Sequence, residues 1–175
     1  PYGDWSIPLA KAIERSGFFY SSEFTLDYDN LPFYPYLNDG FSSVLQIPIH
    51  PISTSRLRNS RHMDVDIKNY YKDLFQEKIA HDLPLFIYDH PSSLNLNILN
   101  WLLQYVNKKR ISLLSLKDYA HWWKKRIEIK WNPEFDGSKI FINRQHPNSS
   151  MYMFVKKSPK ESILIKMGKV VMLSQ

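Results

Sequence analysis

Some segments of the chain space their apolar residues as helices do, and the segments between them have the continuous apolar runs of buried strands. Four segments repeat apolar side chains at the i, i+3, i+4 spacing of one helix face and predict amphipathic helices: residues 7–16, 64–80, 92–107 and 115–126. Short continuous apolar runs lie between them and predict buried strands: residues 18–22, 44–49 and 83–89, with a short strand or extended link at 111–114. This alternation indicates an α/β layout with a mainly parallel sheet.

Three stretches fall outside that layout. Residues 23–43 combine turn-forming residues with six aromatic side chains, so we expect an irregular segment that is packed and ordered. Residues 54–62 hold three arginines and one histidine without an acid, and they predict a basic loop. Residues 127–175 show no helical period and predict about five short strands, with a hairpin turn at Asp136-Gly137. The last stretch therefore predicts a small antiparallel β module.

Composition narrows the class of protein. Hydrophobic residues make up 43% and charged residues 23% of the chain, which is typical of a soluble globular protein. No apolar run reaches the roughly 18 residues that a membrane helix needs. The absence of cysteine excludes disulfides and cysteine metal sites. The net charge of +6 comes partly from cations that close predicted helices, so a nucleic-acid partner is our last-ranked alternative.

The run at residues 83–89 is the most informative stretch because polar residues follow it at once. Asp89 and His90 come at its carboxyl end, and α/β proteins hold their chemistry at the carboxyl ends of buried parallel strands. His50 follows the strand 44–49 in the same way. The structural alternative is that Asp89 starts a turn and that His90 only precedes Pro91, which favours an extended backbone.

Six short motifs follow one another in the first 126 residues. They are Pro-Tyr-Gly-Asp-Trp at 1–5, Gly-Phe-Phe-Tyr-Ser-Ser at 17–22, Leu-Asp-Tyr-Asp at 26–29, Leu-Gln-Ile-Pro-Ile-His at 45–50, Phe-Ile-Tyr-Asp-His-Pro at 86–91 and Leu-Leu-Ser-Leu-Lys-Asp at 113–118. In their residue types and in their order along the chain, these motifs resemble those of the polysaccharide deacetylase (NodB-homology) family. The resemblance implies the C-terminal portion of a deacetylase-type (β/α) barrel over residues 1–126, followed by a small antiparallel β domain over residues 127–175.

The resemblance also implies a site. In that family a divalent, zinc-like metal activates water, and a histidine on the last strand protonates the leaving amine with an aspartate to orient it. By position the histidine is His90, and the aspartate is Asp29 or Asp27. His50 is expected to contact substrate or to be structural.

Aromatic side chains near the predicted site have two interpretations. Tyr2, Trp5, Tyr34 and Tyr36 either stack on sugar rings or pack as ordinary buried aromatic residues. Tyr2, Trp5 and Tyr34 are the candidate substrate-binding residues among them.

The chain departs from the family in one respect that bears on activity. The family's Asp-Asp and His-x-x-x-His motifs, which bind the metal, have no counterpart in this sequence. We therefore expect a C-terminal fragment of a carbohydrate deacetylase, inactive alone, with the metal ligands outside this chain. Its expected partners are a carbohydrate and either the missing N-terminal half of the barrel or a second copy that covers exposed sheet edges. The alternative is a non-catalytic carbohydrate- or protein-binding module. The family is often extracytoplasmic, and the sequence itself indicates no compartment.

Overall fold

A computed structural model describes residues 5–25, 31–91 and 95–129, together with five later strands. The helices are α1 (Ile7–Arg15), α2 (Thr54–Asn59), α3 (Asp64–Ala80), α4 (Leu96–Lys108) and α5 (Leu116–Ile127). The strands are β1 (Tyr20–Ser21), β2 (Leu45–Gln46), β3 (Trp131–Phe135), β4 (Lys139–Arg144), β5 (Tyr152–Lys156), β6 (Ser162–Lys166) and β7 (Val170–Met172). The chain divides into two compact units, residues 1–121 and 122–175. The predicted boundary after residue 126 stays a prediction.

Local chemistry explains where the helices begin and end. The Ser6 hydroxyl accepts a hydrogen bond from the Leu9 N–H at 3.4 Å and caps α1, and Gly17 ends that helix with a positive φ of 78°. The Asn95 side chain caps α4 by accepting from the N–H groups of Asn97 and Ile98 at 3.1 and 3.4 Å. These short polar residues satisfy backbone groups that a helix end leaves without partners.

The main core of the first unit lies between α3 and α4. Ile67 and Tyr71 of α3 and Ile98 of α4 are fully buried, and Leu102 and Val106 of α4 join them. Both helices were predicted with these faces inward, because the spacing of apolar residues on one helix depends only on the local sequence. Helix packing is therefore the principal source of burial here.

The second unit contains the antiparallel strands. β3, β4 and β7 form a three-stranded sheet in the order β3-β4-β7, and β5 pairs with β6 in a separate two-stranded sheet. The turn residues 136 and 137 lie outside the described residues.

The predicted fold class, a partial (β/α) barrel followed by a small antiparallel β domain, is wrong. Each barrel strand must pair with two neighbours, whereas the only parallel sheet in the described residues is β1 with β2, which pair over two residues each. The later strands form two separate small sheets and not one domain-wide sheet. An apolar run gives a segment a tendency to be buried but does not supply a pairing partner.

Two segment predictions also fail. Residues 83–90 form no regular strand. Pro84 has no N–H to donate, and the described backbone contact to the neighbouring segment is one bond, from the His50 N–H to the Phe86 carbonyl at 2.8 Å. The predicted basic loop contains α2, which Ser53 caps by accepting from the Arg56 N–H at 3.1 Å. Among the described helices, none is long and apolar enough to cross a bilayer.

Candidate functional site

Three extended segments of the first unit lie side by side. Tyr20 is in register with Leu45 and Ser21 with Gln46, and Thr25 forms a parallel bridge with Ile49. The segment that ends at His50 then joins residues 83–90 through the hydrogen bond to Phe86. His50 ends the second of these segments, and Asp89 and His90 end the third. We call these three residues the histidine edge.

His50 is a buried member of the histidine edge, with 2% of its surface exposed. Its Nε2 atom lies 2.6 Å from the hydroxyl oxygen of Tyr70 on α3. The neighbouring Tyr71 donates its hydroxyl to the Ile52 carbonyl at 2.9 Å. Burial, followed by the nearby Tyr70, Asp89 and Tyr88, raises the pKa of the Tyr71 phenol above its ordinary value, so Tyr71 remains a neutral donor. Two phenols of α3 thus fix the chain at residues 50–52.

Asp89 is held from two sides. The Thr54 hydroxyl at the start of α2 donates to its Oδ2 atom, and the backbone N–H of His90 donates to its Oδ1 atom at 2.9 Å. Both oxygens of the carboxylate therefore have donors, which fixes the orientation of the side chain. Asp89 was not among the predicted site residues, although its position beside His90 was the available signal.

His90 is the exposed member of the histidine edge. Its ring lies 5.7 Å from the Tyr88 ring, centroid to centroid, at an interplanar angle of 88°. The Asp89 carboxylate contacts the backbone N–H of His90, and the imidazole is exposed to solvent. Its predicted partners Asp27 and Asp29 lie outside the described residues, so their pairing with His90 stays a prediction.

Glu23 is a second carboxylate that the sequence did not reveal. It follows β1, is 7% exposed and accepts a hydrogen bond from the Ser21 hydroxyl at its Oε1 atom. Its Oε2 atom is buried without a hydrogen-bond partner among the described residues. A buried oxygen of this kind is satisfied in most proteins by water or a bound group. No local sequence pattern distinguished Glu23 from an exposed loop acid.

The predicted aromatic substrate contacts fall in different surroundings. Tyr2 lies outside the described residues. Trp5 is half-buried, its ring is 5.4 Å from that of Phe24, and its indole Nε1 atom is buried without a hydrogen-bond partner in the described chain. Tyr34 is also half-buried. Trp5 therefore packs within the aromatic segment.

The divalent metal that the resemblance implies does not fit the described residues. They contain no group of three or more histidine, aspartate or glutamate side chains arranged to hold an ion. At the histidine edge, the His50 Nε2 atom and both Asp89 oxygens instead contact hydroxyls and a backbone N–H of the chain itself. This part of the protein can position a carboxylate and present a protonatable imidazole.

Comparison of the chain with protein-family models, with curated proteins and with solved structures finds no match. The histidine edge must therefore be interpreted from its own geometry.

Proposed function

We propose that this chain supplies the proton-donating and substrate-contacting part of a carbohydrate deacetylase-like hydrolase, and that it is inactive by itself. The observation that supports this proposal best is the histidine edge. An exposed His90 stands next to Asp89, whose two carboxylate oxygens are both held by donors. The arrangement presents an imidazole to solvent on a fixed backbone.

The reaction needs a proton donor at this position. Hydrolysis of an N-acetyl group adds the water oxygen to the acetyl carbon, breaks the C–N bond and releases acetate and an amine. The departing nitrogen must gain a proton as that bond breaks, and a histidine imidazolium is the side chain best suited to deliver it near neutral pH. In this proposal His90 delivers the proton, Asp89 fixes the backbone that carries it, and His50 with Tyr70 forms the supporting wall.

The proposal assigns the metal and its ligands to residues outside this chain. The residues of this chain contact the sugar and supply the proton. We propose two kinds of partner for the chain. One is a carbohydrate substrate, and the other is either an N-terminal half of the enzyme or a second copy of the chain.

Titration by NMR with a short N-acetylated glucosamine oligosaccharide tests the proposal. We expect shifts of the His90 and Tyr88 ring signals, and about tenfold weaker binding at this site in His90→Ala, as for the loss of one charge-assisted hydrogen bond. His81→Ala is the matched control, because His81 is an exposed histidine at the end of α3. The same chain is expected to release no acetate with or without added Zn²⁺.

Two results would overturn the proposal. One is a titration in which the His90 and Tyr88 signals do not move. The other is zinc-dependent acetate release by the chain alone, because the proposal places the metal ligands elsewhere.

The second candidate is a carbohydrate- or protein-binding module without catalysis. It is favoured by the enclosure of His50, which is buried against Tyr70. The parent reading frame distinguishes the two candidates. An Asp-Asp motif and a His-x-x-x-His motif encoded upstream of Pro1 support the hydrolase, and a reading frame without them supports the binding module.

A further inference from the structure

Two aromatic side chains project into solvent at the other end of β2. Tyr36 is 59% exposed and Phe41 is 76% exposed, and their ring centroids lie 5.4 Å apart at an interplanar angle of 78°. Phe41 precedes the amino end of β2, whereas His50 follows its carboxyl end. The pair is therefore separate from the histidine edge along the strand direction.

The pair sits on a tight turn with a fixed backbone. Tyr36 and Phe41 form an antiparallel bridge, and the Leu37 N–H donates to the Gly40 carbonyl at 2.7 Å. Asn38 and Gly40 have positive φ angles of 69° and 153°, which asparagine and glycine adopt more readily than other residues. The sequence Leu-Asn-Asp-Gly is suited to this turn.

Two contacts attach the turn to α1. The Lys11 ammonium donates to Asp39 Oδ2 at 2.9 Å. The backbone N–H and the hydroxyl of Ser43 both donate to Glu14 Oε1, at 2.7 and 2.6 Å. Because both sides of the turn are attached to α1, the backbone that carries the two rings is braced before any ligand arrives, which reduces the entropy lost on binding.

A shallow groove of about 270 Å³ lies against Phe41. Its charged lining consists of two cations, Lys11 and Arg15, and two acids, Glu14 and Asp39. The charges balance, so the groove is complementary to a neutral ligand that both donates and accepts hydrogen bonds. An anionic polymer or an anionic lipid headgroup is a poorer fit, because the two acids would repel it as the two cations attract it.

Both acids remain acceptors at neutral pH. Hydrogen bonds from Ser43 lower the pKa of the Glu14 carboxyl, and the hydrogen bond from Lys11 lowers that of Asp39. Ionised carboxylates accept hydrogen bonds from hydroxyl groups.

We propose that Phe41, Tyr36 and the groove beside them form a second carbohydrate-binding site, which takes one neutral pyranose ring of a glycan. The apolar face of the sugar lies on Phe41, and its hydroxyls bond to Asp39 and Arg15. The ligand class rests on the proposed function, while the location rests on the geometry of the turn. A protein partner fits less well, since specific protein interfaces bury at least about 1,000 Å² in total and this patch offers two exposed rings.

The same oligosaccharide titration, followed by NMR, tests this second site. We expect shifts of the Phe41 and Tyr36 ring signals, and about three- to tenfold weaker binding at this site in Phe41→Ala, the range typical of a lost aromatic stacking contact. Phe18→Ala is the matched control, because Phe18 is also an exposed phenylalanine, at 61%. Thermal unfolding of both variants checks that they fold.

The outcomes separate this site from the histidine edge. Shifts at Tyr36 that Phe41→Ala reduces and Phe18→Ala does not would support the second site, whatever happens at His90. Shifts confined to His90 and Tyr88 would overturn the second site and leave the proposed function intact. Equal effects of the two phenylalanine variants, or no shift at the turn, would also overturn it.

Discussion

At the scale of single residues, the first unit contains tyrosine hydroxyls that bond to polar groups far away in the sequence. Tyr70 reaches His50, and Tyr71 reaches the Ile52 carbonyl. The sequence pattern places both tyrosines in the helix predicted at residues 64–80 but does not show what their hydroxyls contact. Their hydroxyls have partners that lie about twenty residues away, which a local pattern does not reveal.

Tyr70→Phe should therefore destabilise the protein. It removes the hydroxyl from Nε2 of a histidine that is 2% exposed, and loss of a partner of a buried polar group costs about 1–3 kcal/mol. Urea unfolding measures the change in the free energy of unfolding. Tyr36→Phe, at a position that is 59% exposed, is the control, and an equal effect of both variants would contradict the expectation.

At the scale of elements, helices were predictable where their apolar spacing is long and regular. α3 and α4 were predicted with their inward faces, whereas the six-residue α2 was not, because it is too short to show a period and depends on its Ser53 cap. The run at residues 83–89 shows the opposite failure, since its apolar composition predicted a strand that the structure does not form.

The packing of α3 against α4 leads to a second stability prediction. Ile98→Ala removes three methyl-sized groups from a side chain that is fully buried, and such truncations cost about 2–5 kcal/mol. Leu96→Ala, on the same helix at 64% exposure, should cost under about 1 kcal/mol. Guanidinium unfolding of the two variants compares them directly, and a small loss for Ile98→Ala would argue against a core between these helices.

At the scale of the whole molecule, the Lys11–Asp39 ion pair and the hydrogen bonds from Ser43 to Glu14 join α1 to the turn before β2. They link residues 28 and 29 positions apart, so they form only in the folded chain. The pKa values of Glu14 and Asp39 are lowered from ordinary values of 4.5 and 3.8. A lowered folded pKa means stabilisation that is complete above the ordinary pKa and is lost as the pH falls through the lower, folded value.

Acid should therefore release the turn. We expect the Ser43 amide signal in NMR to stay constant at neutral pH and to shift with a midpoint below pH 4.5, where Glu14 takes up a proton. Glu14→Gln should abolish this transition, because the amide oxygen keeps an acceptor but does not titrate. A midpoint above 4.5, or an unchanged transition in Glu14→Gln, would contradict the assignment.

Sequence alone determined the features that depend on neighbours within a few positions. The faces of the long helices, the turn-forming residues of the segment 23–43 and the position of His90 after an apolar run all follow from local spacing and local backbone preference.

Only the tertiary structure decided which segments pair. Strand pairing and side-chain contacts join residues far apart in the sequence, and an apolar run is compatible with many partners. For this reason the expected barrel was wrong, and the bond from Thr54 to Asp89, the bond between His50 and Tyr70, and the burial of Glu23 became visible only in the folded chain.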